Sequence, residues 1–147
     1  MRHLGVDFGE KRVGLALSDE RGVIASPLET LPVASAGEAC ERVAEVAREE
    51  GAETVVVGLA RRLNGRKGPQ ARACEAFAEA LRAKGLAVEL WDERLSSVSA
   101  KNCLRASGLS RGRRRRKIDA VAAQIILQGY LSARRNQFFS EESSLTR

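Results

Sequence analysis

Acidic residues stand at three points of this chain where a strand is expected to end or a helix to begin. Asp7 closes the first strand-like run, "RHLGVD". Asp92 and Glu93 end the last one, "LAVELWDE". Asp119 lies in the first turn of a long helical run, "KIDAVAAQIILQGYL". On a helix, Asp119 shares an edge with Ala122, Ala123, Ile126 and Leu127, which turns it toward a core. Carboxylates gathered at the carboxyl ends of parallel strands would repel one another unless a cation lay between them. Oxygen donors without histidine suit Mg²⁺ or Mn²⁺ rather than zinc, and His3 is the chain's single histidine. Two such ions can activate a water and stabilise the leaving oxygen in phosphodiester cleavage. Each acid also has a plainer use: Asp7 before a turn, Asp92 or Glu93 as a helix cap, Asp119 as a first-turn acid favoured by the helix dipole.

The charge pattern names a partner for that chemistry. The net charge is +6, yet "RRLNGRKGPQAR" (residues 61–72) carries five basic residues and "RGRRRRK" (residues 111–117) six, neither with an acid. Without these two stretches the chain is net acidic. Arginines ahead of a helix N-terminus oppose its dipole, so folding alone gives no reason for the second block. Arg61, Arg62, Arg66 and Lys67, with Arg113, Arg114, Arg115, Arg116 and Lys117, are therefore candidate contacts to a polyanion. Lys11, just past Gly9, is a further candidate for a phosphate. Only 4% of the residues are aromatic, which argues against base-stacking platforms and for recognition through backbone and shape.

The elements that must position these groups follow from periodicity. "RHLGVD" and "RVGLALSD" form a hairpin around "FGEK". One face of it, with Gly5, Gly14 and Ala16, has almost no side chain, so a helix or a ligand must approach closely. "GVIASPLETL" adds a third strand, pushed by Pro27 to an edge or a bend. A helix capped near Ser35 closes at Gly51. "ETVVVGL" reads as a strand buried on both faces of a parallel sheet, and the first basic loop follows it. A helix over 70–84 then leads to "LAVELWD", expected as another buried strand. "SSVSAKNCLRAS" forms a helix capped by Ser96 or Ser97, and the arginine block precedes the last helix. The result is an α/β domain over residues 1–133, an antiparallel meander joined to parallel crossovers, with residues 134–147 as a loose tail. No run approaches the roughly 20 apolar residues of a membrane span, and no signal-peptide core is seen. Cys40, Cys74 and Cys103 read as buried free thiols in a reducing cytosol, so the expected location is cytoplasmic.

"LGVDFGEKRVGLALSD", "VVVGLARRLNGRKGPQA", "WDERLSS" and "KIDAVAAQIILQGYL" together resemble the YqgF/RuvX family, relatives of the RuvC resolvases. The resemblance runs from about Arg2 to Leu131. It implies a ribonuclease H-like fold, a central mixed sheet flanked by helices, and a divalent-metal nuclease site holding Mg²⁺ or Mn²⁺. Carried onto this sequence, the catalytic and metal-holding acids are Asp7, Glu93 and Asp119, which favours Glu93 over Asp92. The implied function is 5′-end processing of pre-16S ribosomal RNA, with Holliday-junction cleavage as the alternative. Two departures stand out. Ala60 replaces the proline usual after Gly58-Leu59, and no acid follows the "VVVGL" strand. The expected partner is nucleic acid, RNA before structured or single-stranded DNA, bound by a monomer or weak homodimer away from membranes. Two other readings compete. One is a non-catalytic nucleic-acid-binding module. The other is an actin-like ATPase, suggested by Asp7-Phe8-Gly9 with Lys11, although such enzymes close two domains over a nucleotide and this chain supplies one.

Overall fold

The computed structural model describes residues 2–9, 11–59, 69–92 and 120–134. In chain order come β1 (Arg2–Phe8), β2 (Arg12–Ser18), β3 (Ala25–Pro32), α1 (Ala36–Glu49), β4 (Ala52–Leu59), α2 (Pro69–Ala83) and β5 (Ala87–Asp92). A further helix, α3, covers residues 120–134. The strands form one sheet in the order β3-β2-β1-β4-β5. β2 pairs antiparallel with both β1 and β3, while β4 runs parallel to both β1 and β5. This is the expected meander joined to parallel crossovers.

Local chemistry sets the boundaries. The Ser35 hydroxyl accepts from the Glu38 amide at 3.2 Å, and the Glu38 carboxylate accepts from the Ala34 amide at 2.8 Å. The first turn of α1 is thereby satisfied from both directions. α2 begins on Pro69, whose fixed φ suits the first helical turn. Gly51 and Gly85, at φ +66° and +89°, take the left-handed conformation that turns the chain out of each helix.

Alternation along the strands divides the molecule into two unequal cores. Leu4, Val6 and Phe8 of β1, with Val13, Leu15, Val55 and Val57, face α1 and α2, where Val43, Ala47, Phe77 and Leu81 complete the larger core. Phe8 stacks on Phe77 with ring centroids 4.4 Å apart. The opposite face is thinner: Ala16, Ala25 and Val56 meet Ala123, Ile126, Leu127, Tyr130 and Leu131 of α3, with Trp91 at the side. The bare face of the hairpin is thus covered by a helix. A Cβ on Gly5 would stand 2.7 Å from Leu127 Cβ and 2.9 Å from the Ala123 carbonyl oxygen.

Two details differ from the sequence reading. β5 is buried only at Val88, because it is the outer strand of the described sheet. The expected core-facing edge of α3, Ala122, Ala123, Ile126 and Leu127, is buried together with Tyr130, while Val121 and Ile125 are half-buried. Arg134, where the tail was expected to begin, is still helical. The expected edge position of the Pro27 strand is seen, with a register shift opposite Leu15 and Ala16. Cys40 and Cys74 are buried free thiols, and burial pushes the Cys40 thiol upward despite nearby Lys84. No helix among the described residues is long and apolar enough to cross a membrane. The helix expected from Ser96 or Ser97, Cys103 and residues 135–147 lie outside the described residues.

Because backbone atoms of α3 occupy the space above Gly5, Gly5→Ala forces α3 away from the sheet. Urea unfolding should show a loss of about 1–3 kcal/mol, although alanine suits a strand at least as well as glycine does.

Candidate active site

Residues at alternate positions of β1, namely His3, Gly5 and Asp7, belong to the α3 side of the sheet. Asp7 stands half-buried near the carboxyl end of β1, and its cross-strand partner is Gly14, which has no side chain to cover it. Immediately beyond, the Gly9 amide donates to the Arg12 carbonyl at 3.0 Å and closes the β1–β2 turn. A Cβ on Gly9 would lie 2.7 Å from that carbonyl oxygen, so the tight turn requires glycine. Lys11 is exposed on the same turn, and its carbonyl accepts from the Val33 amide at 2.9 Å. The hairpin therefore presents one carboxylate and one solvent-facing ammonium at a single end of the sheet.

The parallel register brings two further strand ends to that rim. Val6 pairs with Val57, Gly58 with Trp91, and Leu59 with Asp92. Trp91 lies on the α3 side: its ring meets Tyr130 edge-on at 6.0 Å, and its Nε1 would stand 3.1 Å from a Cβ on Gly129. Asp92, one residue on, shares the side of Val88 and Leu90, which belong to the larger core. Of the adjacent pair of acids, Asp92 is thus on the face of the sheet away from Asp7.

α3 runs antiparallel to β1, as four contacts show. Arg134 meets His3 Nε2 at 3.0 Å, and Tyr130 packs on the His3 ring with centroids 5.8 Å apart. Leu127 and Ala123 rest on Gly5. Since a guanidinium only donates, His3 Nε2 is the acceptor in this contact. The Ser18 hydroxyl accepts from the His3 amide at 2.8 Å, fixing the start of β1 under this contact. The N-terminal end of α3, with its positive dipole, is consequently directed toward the Asp7 end of the sheet.

Of the residues expected at the site, the structure places Asp7 and Lys11 at the same rim. Glu93, Asp119, Arg61, Arg62, Arg66, Lys67, Arg113, Arg114, Arg115, Arg116 and Lys117 lie outside the described residues. No three acidic, histidine or cysteine side chains converge among the described residues. Sequence reasoning passed over Gln124 and Gln128. Two glutamines four apart in an apolar helix carry the same signal as Asp119, a polar group on a core-facing edge, and both bond across to the β2–β3 segment.

Comparison with known proteins agrees with this architecture. Residues 1–133 match the family model described as "RuvX: Holliday junction resolvase". A Symbiobacterium thermophilum protein named "Putative pre-16S rRNA nuclease" is 48% identical over 91% of this chain and 94% of its own length. A Chloroflexus aggregans protein of the same name is 46% identical over 92% and 96%. Among solved structures, Thermus thermophilus RuvC in complex with a Holliday junction substrate superposes with a TM-score of 0.56 at 21% identity, covering 92% of this chain and 96% of that one. The fowlpox virus resolvase bound to junction DNA gives 0.54 at 13% identity, covering 90% and 98%. These likenesses establish the ribonuclease H-like fold. With the family model matched through residue 133 and relatives nearly half identical over nine-tenths of its length, this chain belongs to the RuvX family and is a nuclease.

Proposed function

We propose that the protein is a divalent-metal-dependent nuclease that cleaves unpaired RNA at the ends of pre-16S ribosomal RNA precursors, with Asp7, Glu93 and Asp119 holding Mg²⁺ or Mn²⁺. The observation that carries this reading is the antiparallel seat of α3 on β1. Ala123 lies over Gly5; one helical turn back from Ala123 is position 119, and one strand alternation on from Gly5 is Asp7. Those steps are about 6 Å and about 7 Å, in the same direction. Ala123, Ile126 and Tyr130 form the edge buried against the sheet, and by helical spacing position 119 would fall on that edge. Trp91 lies on the α3 side and Asp92 on the other, so a strand continued by one residue would turn Glu93 toward Asp7, which supports Glu93 over Asp92. The donor set fits a hard cation: carboxylate oxygens only, beside a glycine-lined strand pair.

The ions, when bound, supply an activated water and stabilise the departing oxygen. The chain's own residues do the rest. Asp7, Glu93 and Asp119 balance the ionic charge and fix where the scissile phosphate must lie. Lys11, on its tight turn, is placed to neutralise a phosphate next to that position. The loop after β4, with Arg61, Arg62, Arg66 and Lys67, and the block ahead of α3, Arg113 through Lys117, would flank the strand on either side. With few aromatic residues available for stacking, contacts to the phosphate backbone dominate and sequence preference is weak. The relatives' names support the RNA substrate, and a ribosomal RNA precursor places the protein in the cytoplasm.

Asp7→Asn should abolish cleavage and weaken Mn²⁺ binding by calorimetry, while the circular dichroism spectrum and RNA affinity persist. Wild-type turnover in that variant would sink the metal-site reading. Replacing Arg113, Arg114, Arg115 and Arg116 by serine should weaken all nucleic acids about equally. The slope of log affinity against log salt should fall by roughly 0.7 to 0.9 per lost phosphate contact; an unchanged slope would make the block a solvated charge run. A cleavage screen over single-stranded RNA, single-stranded DNA and four-way junctions decides the substrate. Symmetric cutting of junctions by a dimer, with RNA left intact, would replace this reading by junction resolution.

A further inference from the structure

The interface under α3 is thin. Gly5, Ala16, Ala25 and Ala123 let the helix approach closely while Ile126, Leu127 and Tyr130 fill the rest, and apolar contact is non-directional. The Arg134–His3 contact holds the C-terminal end of α3, which leaves the end nearer Asp7 to be registered by other bonds. A metal site tolerates only about 0.5 Å of error in its donors. Something directional has to fix the register.

Three hydrogen bonds do so. The Gln128 carboxamide accepts from the Ala25 amide at 2.9 Å through Oε1 and donates to the Val23 carbonyl at 2.9 Å through Nε2. One turn earlier, Gln124 Nε2 donates to the Ala25 carbonyl at 3.1 Å. Gln128 thus pairs with the entry to β3 as another strand would, and its donor and acceptor requirements fix which way the amide faces. The gripped segment is itself rigid. Asp19 Oδ1 accepts from the Val23 amide at 2.8 Å and the Ile24 amide at 3.2 Å, and the Asp19 amide donates to the Ile24 carbonyl at 3.0 Å. Those amide bonds hold the Asp19 carboxyl below its ordinary value. Ala25 is in turn bound to the sheet, paired with Ser18 of β2.

We infer that Gln124 and Gln128 are positioning residues for cleavage: they lock α3 to the β2–β3 segment in one register and thereby set Asp119, just ahead of α3, against Asp7. This rests on the metal-site reading above. It adds that the catalytic geometry is held from the β3 side of the sheet, by residues two turns of helix from the reacting atoms. Neither glutamine belongs to the nucleic-acid-binding loops, so their loss should affect catalysis and metal use rather than strand binding.

The test compares Gln128→Leu and Gln124→Leu with wild type on a single-stranded RNA oligonucleotide, titrating Mn²⁺ at a temperature well below every melting point. Gln128→Leu should lower kcat and raise the half-saturating Mn²⁺ concentration by about tenfold, as loss of a supporting hydrogen bond around a metal site does. KM for RNA should stay unchanged, and excess Mn²⁺ should restore part of the rate. Gln124→Leu, which removes one bond, should shift both quantities the same way by less, and it carries the test if Gln128→Leu does not fold. Leu81→Ala, in the core on the other face, should lower the melting temperature without moving the Mn²⁺ requirement. A folded glutamine variant with wild-type kcat and Mn²⁺ dependence, whatever its melting temperature, overturns the positioning role. If Asp7→Asn is inactive in the same assay, only that role fails; if Asp7→Asn is fully active, the metal site fails and the positioning role with it.

Discussion

The contact between Gly5 and the backbone of α3 is the constraint from which the rest of this molecule can be reasoned. A side chain at that position would meet Leu127 Cβ and the Ala123 carbonyl below 3 Å, so the helix can lie against β1 only because glycine is there. Its closeness makes a thin second core from alanines and a few large residues sufficient. It brings Tyr130 onto His3 and Gly129 onto Trp91. It also ties the height of α3 above the sheet to the strand that carries Asp7, so Asp7 and the helix share one reference point.

Around this contact the two faces of the sheet have separate duties. The α1–α2 face holds most of the large buried side chains, Leu4, Leu15, Val55, Val57, Phe77 and Leu81 among them, and supplies most of the stability through apolar burial. The α3 face buries less and uses directional bonds: two glutamines to backbone and a guanidinium to an imidazole. Stability and registration are thereby divided between the faces. Substitutions in the larger core can be absorbed as lost stability without altering how α3 is registered on β1.

Much of this is legible in the sequence, for identifiable reasons. The meander and crossovers are written in the alternation of "RVGLALSD" and the continuous "VVVGL", and the bare hairpin face announces a close neighbour. β5 misled because "LAVELWD" is as apolar as a central strand, and a strand's place in the sheet is decided by its neighbours. Asp7 could be found from its place before a tight glycine turn. The face of Asp92 could not, since alternation alone does not say which side of a strand is inward and only the packing of Trp91 on Tyr130 turns Asp92 away from Asp7. Gln124 and Gln128 were hidden for a different reason: their partners are main-chain atoms about a hundred residues away, which no local pattern reports.

The pairing of His3 with Arg134 and Tyr130 joins the first strand of the fold to the last described helix. On a ribosome these segments emerge 131 residues apart. β1 can pair with β2 and β4 and acquire the α1–α2 layer while the chain is still growing, but its other face stays open until residues near 134 have left the exit tunnel. Contacts of such long sequence separation form late and at a high entropic cost. A nascent or prematurely terminated chain would therefore carry a folded half without the helix that follows Asp119. Any cleavage requiring both faces would begin only after residues near 134 were free to pack on β1.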